Sequence, residues 1–398
     1  MNKKVLIISS VASMIDQFII PSIQLLKSME YEIDVATNFE NGNTCSESRI
    51  VELKQKLFNM DVDLYQVDFN RNITNIRSIV KALKQVNSII QGNYNTINGV
   101  KKHKNSQYSF IHCHSPIGGV VARLVAKKNK IKTIYTAHGF HFYKGAPLKN
   151  WVLFYPVENI LSRWTDVLIT INKEDYIRSK KYLHAKKLYY IPGIGLDTKK
   201  FNSNSILRKE KREQLGFSKQ DFIIFSVGEL NENKNHQIII NAIGDLVTES
   251  PEKYKNLHYL IAGKGDLESK LQNYAKSKGI DNKLHLLGFR TDISELQQAA
   301  DIFALPSKRE GLNVSLMEAI ACGKFCIASN IRGNNDLVID DEIGILVNSM
   351  DLQGWKNAIC YAIEQKNQKD DSKRNEIIKM ISSENVLAKL KSIYLEII

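Results

Sequence analysis

The sequence predicts an α/β protein of two Rossmann-like domains, each built on a parallel sheet, and three observations predict it. The chain has 398 residues, more than one hydrophobic core ordinarily serves and about right for two domains of roughly 200 each. Short apolar, β-branched runs alternate with amphipathic stretches, the pattern of βαβ units. The alternation stops at Ile191-Pro192-Gly193-Ile194-Gly195, where proline and closely spaced glycines interrupt regular structure, and then begins again.

In the first domain, residues 1–195, strands are predicted at Lys4–Ser9, Glu32–Ala36, Leu64–Val67, Phe110–Cys113, Lys132–Thr136 and Val167–Ile171. Helices fall between them, among them Phe18–Met29, Asn75–Ile90, Gly118–Lys128 and Leu148–Arg163. The first apolar run, Val5 to Ile8, is too short for a secretory leader and Asp16 follows it, so it reads as a strand. Gln91 to Tyr108 is polar, with a Lys-Lys-His-Lys cluster, and is expected to be a mobile loop. The second domain, residues 196–382, carries short, nearly all-apolar strands at Phe222–Val227, Leu257–Ala262, Leu284–Leu286, Ile302–Leu305, Phe325–Ala328 and Gly344–Val347. Such runs suit strands covered on both sheet faces. A last helix, residues 383–398, is expected to pack back on the first domain. Open parallel sheets bind ligands at the carboxyl ends of their strands, so two such sheets facing each other would place the chemistry in an interdomain cleft.

Composition narrows the class. Hydrophobic residues make up 43% and charged residues 24%, the balance of a soluble globular protein. No apolar run reaches the roughly 18 residues of a membrane-spanning helix. Five scattered cysteines (Cys45, Cys113, Cys322, Cys326, Cys360) read as buried thiols of a reducing compartment. The net charge of +13 is unevenly placed: residues 1–196 hold 27 Lys and Arg against 14 Asp and Glu, while residues 197–398 hold 28 of each. Between Asp68 and Glu158 there are 14 basic residues and no acidic one. A face for an anionic partner follows, such as phospholipid head groups, a lipid-linked diphosphate or nucleic acid.

The sharpest motif is Ser307-Lys308-Arg309-Glu310-Gly311-Leu312-Asn313-Val314-Ser315-Leu316-Met317-Glu318, which follows a strand closed by Pro306 and opens an amphipathic helix running to Gly323. Glu310 would lie on the strand-to-helix loop. Gly311 would permit close backbone approach, and amides near Asn313 to Ser315 would face an anion with the helix dipole behind them. The Glu310-x7-Glu318 spacing, its Pro-Ser lead-in and its Ala-x-Ala-x-Gly continuation resemble family 4 of the retaining glycosyltransferases, of GT-B fold, and more closely the bacterial capsule, exopolysaccharide and O-antigen sugar transferases. The His138-Gly139-Phe140-His141-Phe142 and Gly228-Glu229-Leu230-Asn231-x-Asn233-Lys234-Asn235 stretches support the narrower group.

The resemblance implies roles residue by residue. Glu318 resembles the carboxylate that hydrogen-bonds the ribose hydroxyls of the donor, and Glu310 the one facing the transferred sugar. Leu312, Asn313 and Val314 line the donor loop with Gly311. Lys234, before the helix Gln237–Val247, would stabilise charge on the leaving phosphate without a metal. The family commonly has an arginine five positions before this lysine; Glu229 stands there, so Lys234 and backbone amides would carry more of the diphosphate charge, with Arg290. Gly263 belongs to Gly263-Lys264-Gly265, which reads equally as a tight strand-helix turn or a donor contact. His138 matches a position that contacts the donor sugar. His112, His114 and His141 lie near enough in sequence for a metal cluster to be considered, but no carboxylate has the spacing to complete one, and no metal or cofactor is expected. Asp61-Val62-Asp63, just before a predicted strand, is read as coincidence. Ser10 and Ser13, in the first strand-helix turn, are candidates for an acceptor phosphate or for capping the next helix.

The expected function is transfer of a sugar, with retention, from a UDP-sugar to a lipid-linked saccharide, in surface polysaccharide synthesis. The protein would be cytoplasmic and peripheral on the inner membrane face, docked through its basic half to anionic lipid. Donor binding would close the two domains, and the leaving phosphate would help to deprotonate the acceptor. A sugar-nucleotide 2-epimerase shares the architecture but would release free isomers. A nucleic-acid-binding protein would explain the charge, but no finger, helix-turn-helix or stacking module accompanies it, and no nucleic acid is expected as a partner.

Overall fold

A computed structural model of the chain describes residues 3–70, 72, 75–99, 107–364 and 372–397. Its contacts divide the chain into two compact units, residues 1–194 with 386–398, and residues 195–385.

The first unit is a parallel seven-stranded sheet of β1 (Lys4–Ile8), β2 (Glu32–Thr37), β3 (Val62–Gln66), β4 (Phe110–His114), β5 (Lys132–Ala137), β6 (Val167–Thr170) and β7 (Lys187–Tyr190), in the order β3-β2-β1-β4-β5-β6-β7. Side chains on a strand alternate between faces, and β1 shows the result: Val5 and Ile7 join one core, Leu6 and Ile8 the other. That two-sided burial is why the strand is apolar throughout. The last helix, Ser383–Ile397, begins in the second unit and lays Val386, Leu390, Ile393, Tyr394 and Ile397 into the same core as Val5 and Ile7. Tyr394 stacks on Phe110 with ring centroids 5.6 Å apart.

The second unit is a parallel six-stranded sheet of β8 (Phe222–Val227), β9 (Leu257–Ala262), β10 (Leu284–Leu286), β11 (Ile302–Leu305), β12 (Phe325–Ser329) and β13 (Gly344–Val347), in the order β10-β9-β8-β11-β12-β13. In each sheet the order reverses beside the first strand, at β1/β4 and at β8/β11. Helices leave opposite faces there and open a crevice at the carboxyl ends.

Several expectations are corrected. Strand β3 starts at Val62 and not at Leu64, so Asp63 lies on the strand, and Asp61 turns into it with φ 55. Residues 91–99 form turns anchored by the Ile97 N–H to Leu64 O bond of 2.8 Å. Tyr108 is buried, its hydroxyl on Asp34, which also pairs with buried Lys4 at 2.9 Å. Residues 100–106 of the expected loop, with the Lys-Lys-His-Lys cluster, lie outside the described residues. The helix expected at Phe18–Met29 is entered earlier, at Ala12, through a wide π turn at Ile15–Ile19. Cys45 and Cys360 are half-buried; Cys113, Cys322 and Cys326 are buried, and all five are free thiols.

Candidate active site

The crevice of the second unit is made by two loops. Strand β8 runs into Gly228-Glu229-Leu230 and a turn presenting Asn233-Lys234-Asn235 ahead of helix Gln237–Glu249. Strand β11 runs into residues 306–313, ahead of helix Val314–Ala321. Neighbouring hydrogen bonds fasten the loops together. The Asn233 side-chain amide donates to Arg309 O at 3.0 Å, and the Lys308 N–H donates to Asn233 O at 2.8 Å. Asn235, in the left-handed region at φ 54, donates to Ser349 O at 2.8 Å and Pro306 O at 3.3 Å. Asparagine tolerates that conformation better than most residues.

Between these fasteners Lys234 Nζ meets Glu310 Oε1 at 2.8 Å, with both side chains largely shielded from solvent. The lysine stem lies over Gly228, where an added Cβ would come within 2.9 Å of Lys234 Cε. The Glu310 loop is held from its other side by the turn after β12: Arg332 Nε donates to Glu310 O at 3.0 Å, and a Cβ on Gly333 would fall 2.2 Å from Gly311 O. Separating a shielded ion pair leaves both charges uncompensated, so a ligand that takes Lys234 must bring an anion for the lysine and hydrogen-bond donors for Glu310.

Glu318 sits on helix Val314–Ala321, half-buried, and desolvation pushes its carboxyl up to about 7, with Lys200 opposing the shift. Asn313 is buried and caps this helix by accepting the Leu316 N–H at 3.0 Å; Gly311, Leu312 and Val314 are half-buried along the same loop. Glu229 is exposed and accepts from the Asn231 amide at 2.9 Å. The Arg290 guanidinium lies on Asp292, at 2.7 and 2.5 Å, and the pair holds that carboxyl well below its usual range. Arg290 is therefore built into a local ion cluster with Asp292 and Lys211 rather than onto the Lys234 loop. Gly263 has a backbone reason to be glycine: a Cβ there would lie 1.8 Å from Gly228 O, while its N–H donates to Gly288 O at 2.8 Å. Three strand ends thus meet backbone to backbone.

The first unit collects histidines instead of charges. His112 and His114 share one side of β4, with ring centroids 4.3 Å apart. His138 follows β5, and its Nε2 lies 3.1 Å from His114 Nδ1. His112 is bracketed by the Tyr394 hydroxyl and the Thr136 hydroxyl, each at 2.9 Å. Burial lowers all three, His112 to about 3, His138 to about 4 and His114 well below the usual value. They are neutral at physiological pH. The other nitrogen of His114, Nε2, is buried without a partner. An orphaned N–H is rarer and costlier than an orphaned acceptor, so the proton belongs on Nδ1, which donates to His138 Nε2. His138 then carries its own proton on Nδ1. Among the described residues no group of three His, Cys, Asp or Glu side chains is arranged to hold a metal ion.

Ser10 and Ser13 are buried at the β1 end. The Ser10 hydroxyl lies 2.8 Å from that of Ser115, and Ser13 Oγ accepts the Thr44 N–H at 3.3 Å. Both serines have partners inside the fold, and the Ser10–Ser115 pair ties the β1 and β4 turns at the first unit's reversal point. Sequence reasoning missed Asn233 and Asn235 as fasteners, Arg332 and Gly333 as the far brace, and His114 as the group that sets the His138 proton. The two asparagines stood inside a motif already singled out, and His114 figured in the sequence only as a candidate metal ligand.

Both units resemble known proteins. Residues 4–172 match the model for "Glycosyl transferase 4-like" and residues 208–379 that for "Glycosyl transferases group 1". EpsD of Bacillus subtilis (strain 168), named as a glycosyltransferase, is 35% identical over 365 residues, covering 90% of this chain and 87% of EpsD. The UDP-Gal:alpha-D-GlcNAc-diphosphoundecaprenol alpha-1,3-galactosyltransferase of Escherichia coli is 29% identical, over 78% of this chain and 81% of its own. The crystal structure of Anabaena Alr3699/HepE in complex with UDP and glucose superposes with a TM-score of 0.73 at 18% identity, covering 99% of this chain and 100% of that one, and shows the same GT-B fold. With both units matched and EpsD aligned over nearly its whole length, the chain belongs to the GT-B glycosyltransferases that pair a 4-like first half with a group 1 second half.

Proposed function

We propose that this glycosyltransferase moves a sugar from a UDP-sugar to a lipid-linked saccharide, with retention of configuration, in the assembly of a surface polysaccharide. The Lys234–Glu310 pair carries the reading. When the donor binds, its diphosphate takes over the lysine and releases Glu310 to the hydroxyls of the sugar. The C1–O bond to the diphosphate breaks with its electrons going to the leaving oxygen, beside Lys234. The acceptor oxygen attacks from the same face, and its proton passes to the departing phosphate. Neutral His138 is assigned a hydrogen bond to the transferred sugar, Glu318 the ribose hydroxyls, and no metal or cofactor is assigned a role. The Escherichia coli relative, named for UDP-Gal and a diphosphoundecaprenol-linked substrate, supports both substrate classes, and the UDP in the Anabaena structure supports the donor.

The test is incubation with a panel of UDP-sugars and polyprenyl-diphosphate-linked saccharides, followed by linkage analysis. Transfer with retention is expected. An inverted product, or a sugar trapped covalently on the enzyme, defeats the same-face step. Release of isomerised UDP-sugar without an acceptor defeats the transferase reading.

A further inference from the structure

Helix Leu148–Ser162 is apolar on two opposite sides. Its inner side packs Trp151, Phe154, Tyr155 and Leu161 against the first unit's core. Its outer side is exposed: Leu148 77%, Val152 65%, Leu153 48% and Ile160 52%, with Pro156 exposed among them. At about 100° per residue these five positions fall within one arc of roughly 140°, which Lys149 in the first turn and Asn159 in the last share with them. A surface helix ordinarily turns charged residues to water over such an arc, and a contiguous apolar face marks an interaction site. The neighbouring helix, Lys173–Tyr182, lies alongside through the Tyr155–Tyr182 ring contact at 6.5 Å and the Asn159 amide donating to Tyr182 O at 2.6 Å. It adds Ile177, 65% exposed.

The charge around this face points to what covers it. Lys144, Lys149, Lys180 and Lys181 are exposed on or beside the two helices. Every carboxylate between residues 144 and 182 has a partner: Glu158 buried Arg123, Asp166 the exposed Lys186 and the Thr133 N–H, Glu174 Arg178, and Asp175 the Asn172 amide and the Phe140 N–H. A second copy would bring like charges together. Anionic lipid complements an apolar face rimmed by lysine.

We infer that helix Leu148–Ser162 docks on an anionic bilayer, with Leu148, Val152, Leu153, Pro156 and Ile160 at the boundary of head groups and acyl chains and the lysines on lipid phosphates. The placement suits a lipid-linked acceptor, and for that acceptor it rests on the proposed function. The helix starts ten residues after His138, and the intervening segment is tied to it by His141 stacked on Phe154 at 4.3 Å and by the Asn150 amide donating to His141 O at 3.1 Å.

The full chain is floated with vesicles of phosphatidylethanolamine containing about one-third phosphatidylglycerol, and with pure phosphatidylcholine. Strong flotation is expected only with the anionic vesicles, weakening severalfold as salt is raised. Leu148→Ser, Val152→Ser and Leu153→Ser together should lower it at least tenfold with the thermal midpoint unchanged, since all three side chains are exposed. Val152→Trp sets a tryptophan on the outer side, and stronger quenching of its fluorescence by brominated lipid than of the wild type's is the second measurement. Unchanged flotation of the triple variant, equal flotation with neutral vesicles, quenching no stronger than the wild type's, or a dimer that the triple variant converts to monomer each overturns the inference. Flotation uses neither donor nor acceptor, so a chain that floats but does not transfer counts against the proposed function alone.

Discussion

The two units solve opposite electrostatic problems. The half of the chain after position 196, nearly all of it the second unit, has no net charge, with 28 basic and 28 acidic residues, yet it holds a charged pair, Lys234 and Glu310, at the carboxyl ends of its central strands. The half up to position 196 carries the whole +13 excess, yet the first unit gathers three neutral histidines at the corresponding place. A site for a charged leaving group wants a preorganised counter-charge and little background field. A site for neutral hydroxyls wants donors and acceptors of fixed sense, which neutral imidazoles supply. The difference teaches that local pairing and burial, and not the charge of the surrounding half, set the electrostatics at each group of strand ends.

Removing the lysine should break the comparison most. Lys234→Ala is expected to lower transfer about 10³-fold, measured as kcat/KM, whereas an equal loss on replacing an exposed lysine away from the loops, such as Lys276, would show that bulk charge suffices. His138→Ala should lower transfer about 10²-fold, and His114→Ala should lower kcat severalfold with the donor's KM little changed; imidazole ¹⁵N shifts should report His138 protonated on Nδ1 in the wild type and a mixture of tautomers in the variant. Glu310→Gln separates binding from chemistry: transfer falls, but UDP alone should bind a few-fold tighter by calorimetry, because Lys234 no longer has to leave a carboxylate. Weaker UDP binding in that variant would contradict the exchange of partners.

The pH dependence is a milder sharpening. In the role proposed for it Glu318 would accept ribose hydroxyls best as a carboxylate, and its folded value is raised to about 7. UDP affinity should therefore be full above 7 and decline as pH falls through that value, by a few-fold since a protonated acid still offers one acceptor. Glu318→Gln should flatten the profile. His138, lowered to about 4, does not titrate in this window. The smallest effect belongs to Asn235: Asn235→Ala should cost about 1 kcal/mol of stability in chemical denaturation, from the left-handed φ, with Asn235→Gly closer to wild type on that term.

Strands buried on both faces were legible because every residue reports the same environment. Phe222–Val227 and Leu257–Ala262 read directly as apolar runs. Strand β7, Lys187–Tyr190, escaped because it is an edge strand with half-exposed side chains and no apolar run of its own. The site divided in the same way. Lys234, Glu310 and Glu318 were visible as a motif, since loop and helix fix their spacing locally. The braces were not: Arg332 reaches Glu310 O from 22 positions away, and Asn233 reaches Arg309 from 76. Nothing in a linear pattern announces a contact between loops that only the sheet order makes adjacent.

The closing helix has a consequence for how the molecule is made. Val386 to Ile397 complete a core begun by Val5, so the unit begun first cannot finish folding until the ribosome has passed the whole second unit and delivered Ile397. Until then Phe110 and its neighbours wait uncovered while the later unit, contiguous in sequence, can close. The order of completion runs against the order of translation, and a chain cut short before Tyr394 leaves its earliest strands with an unsealed face.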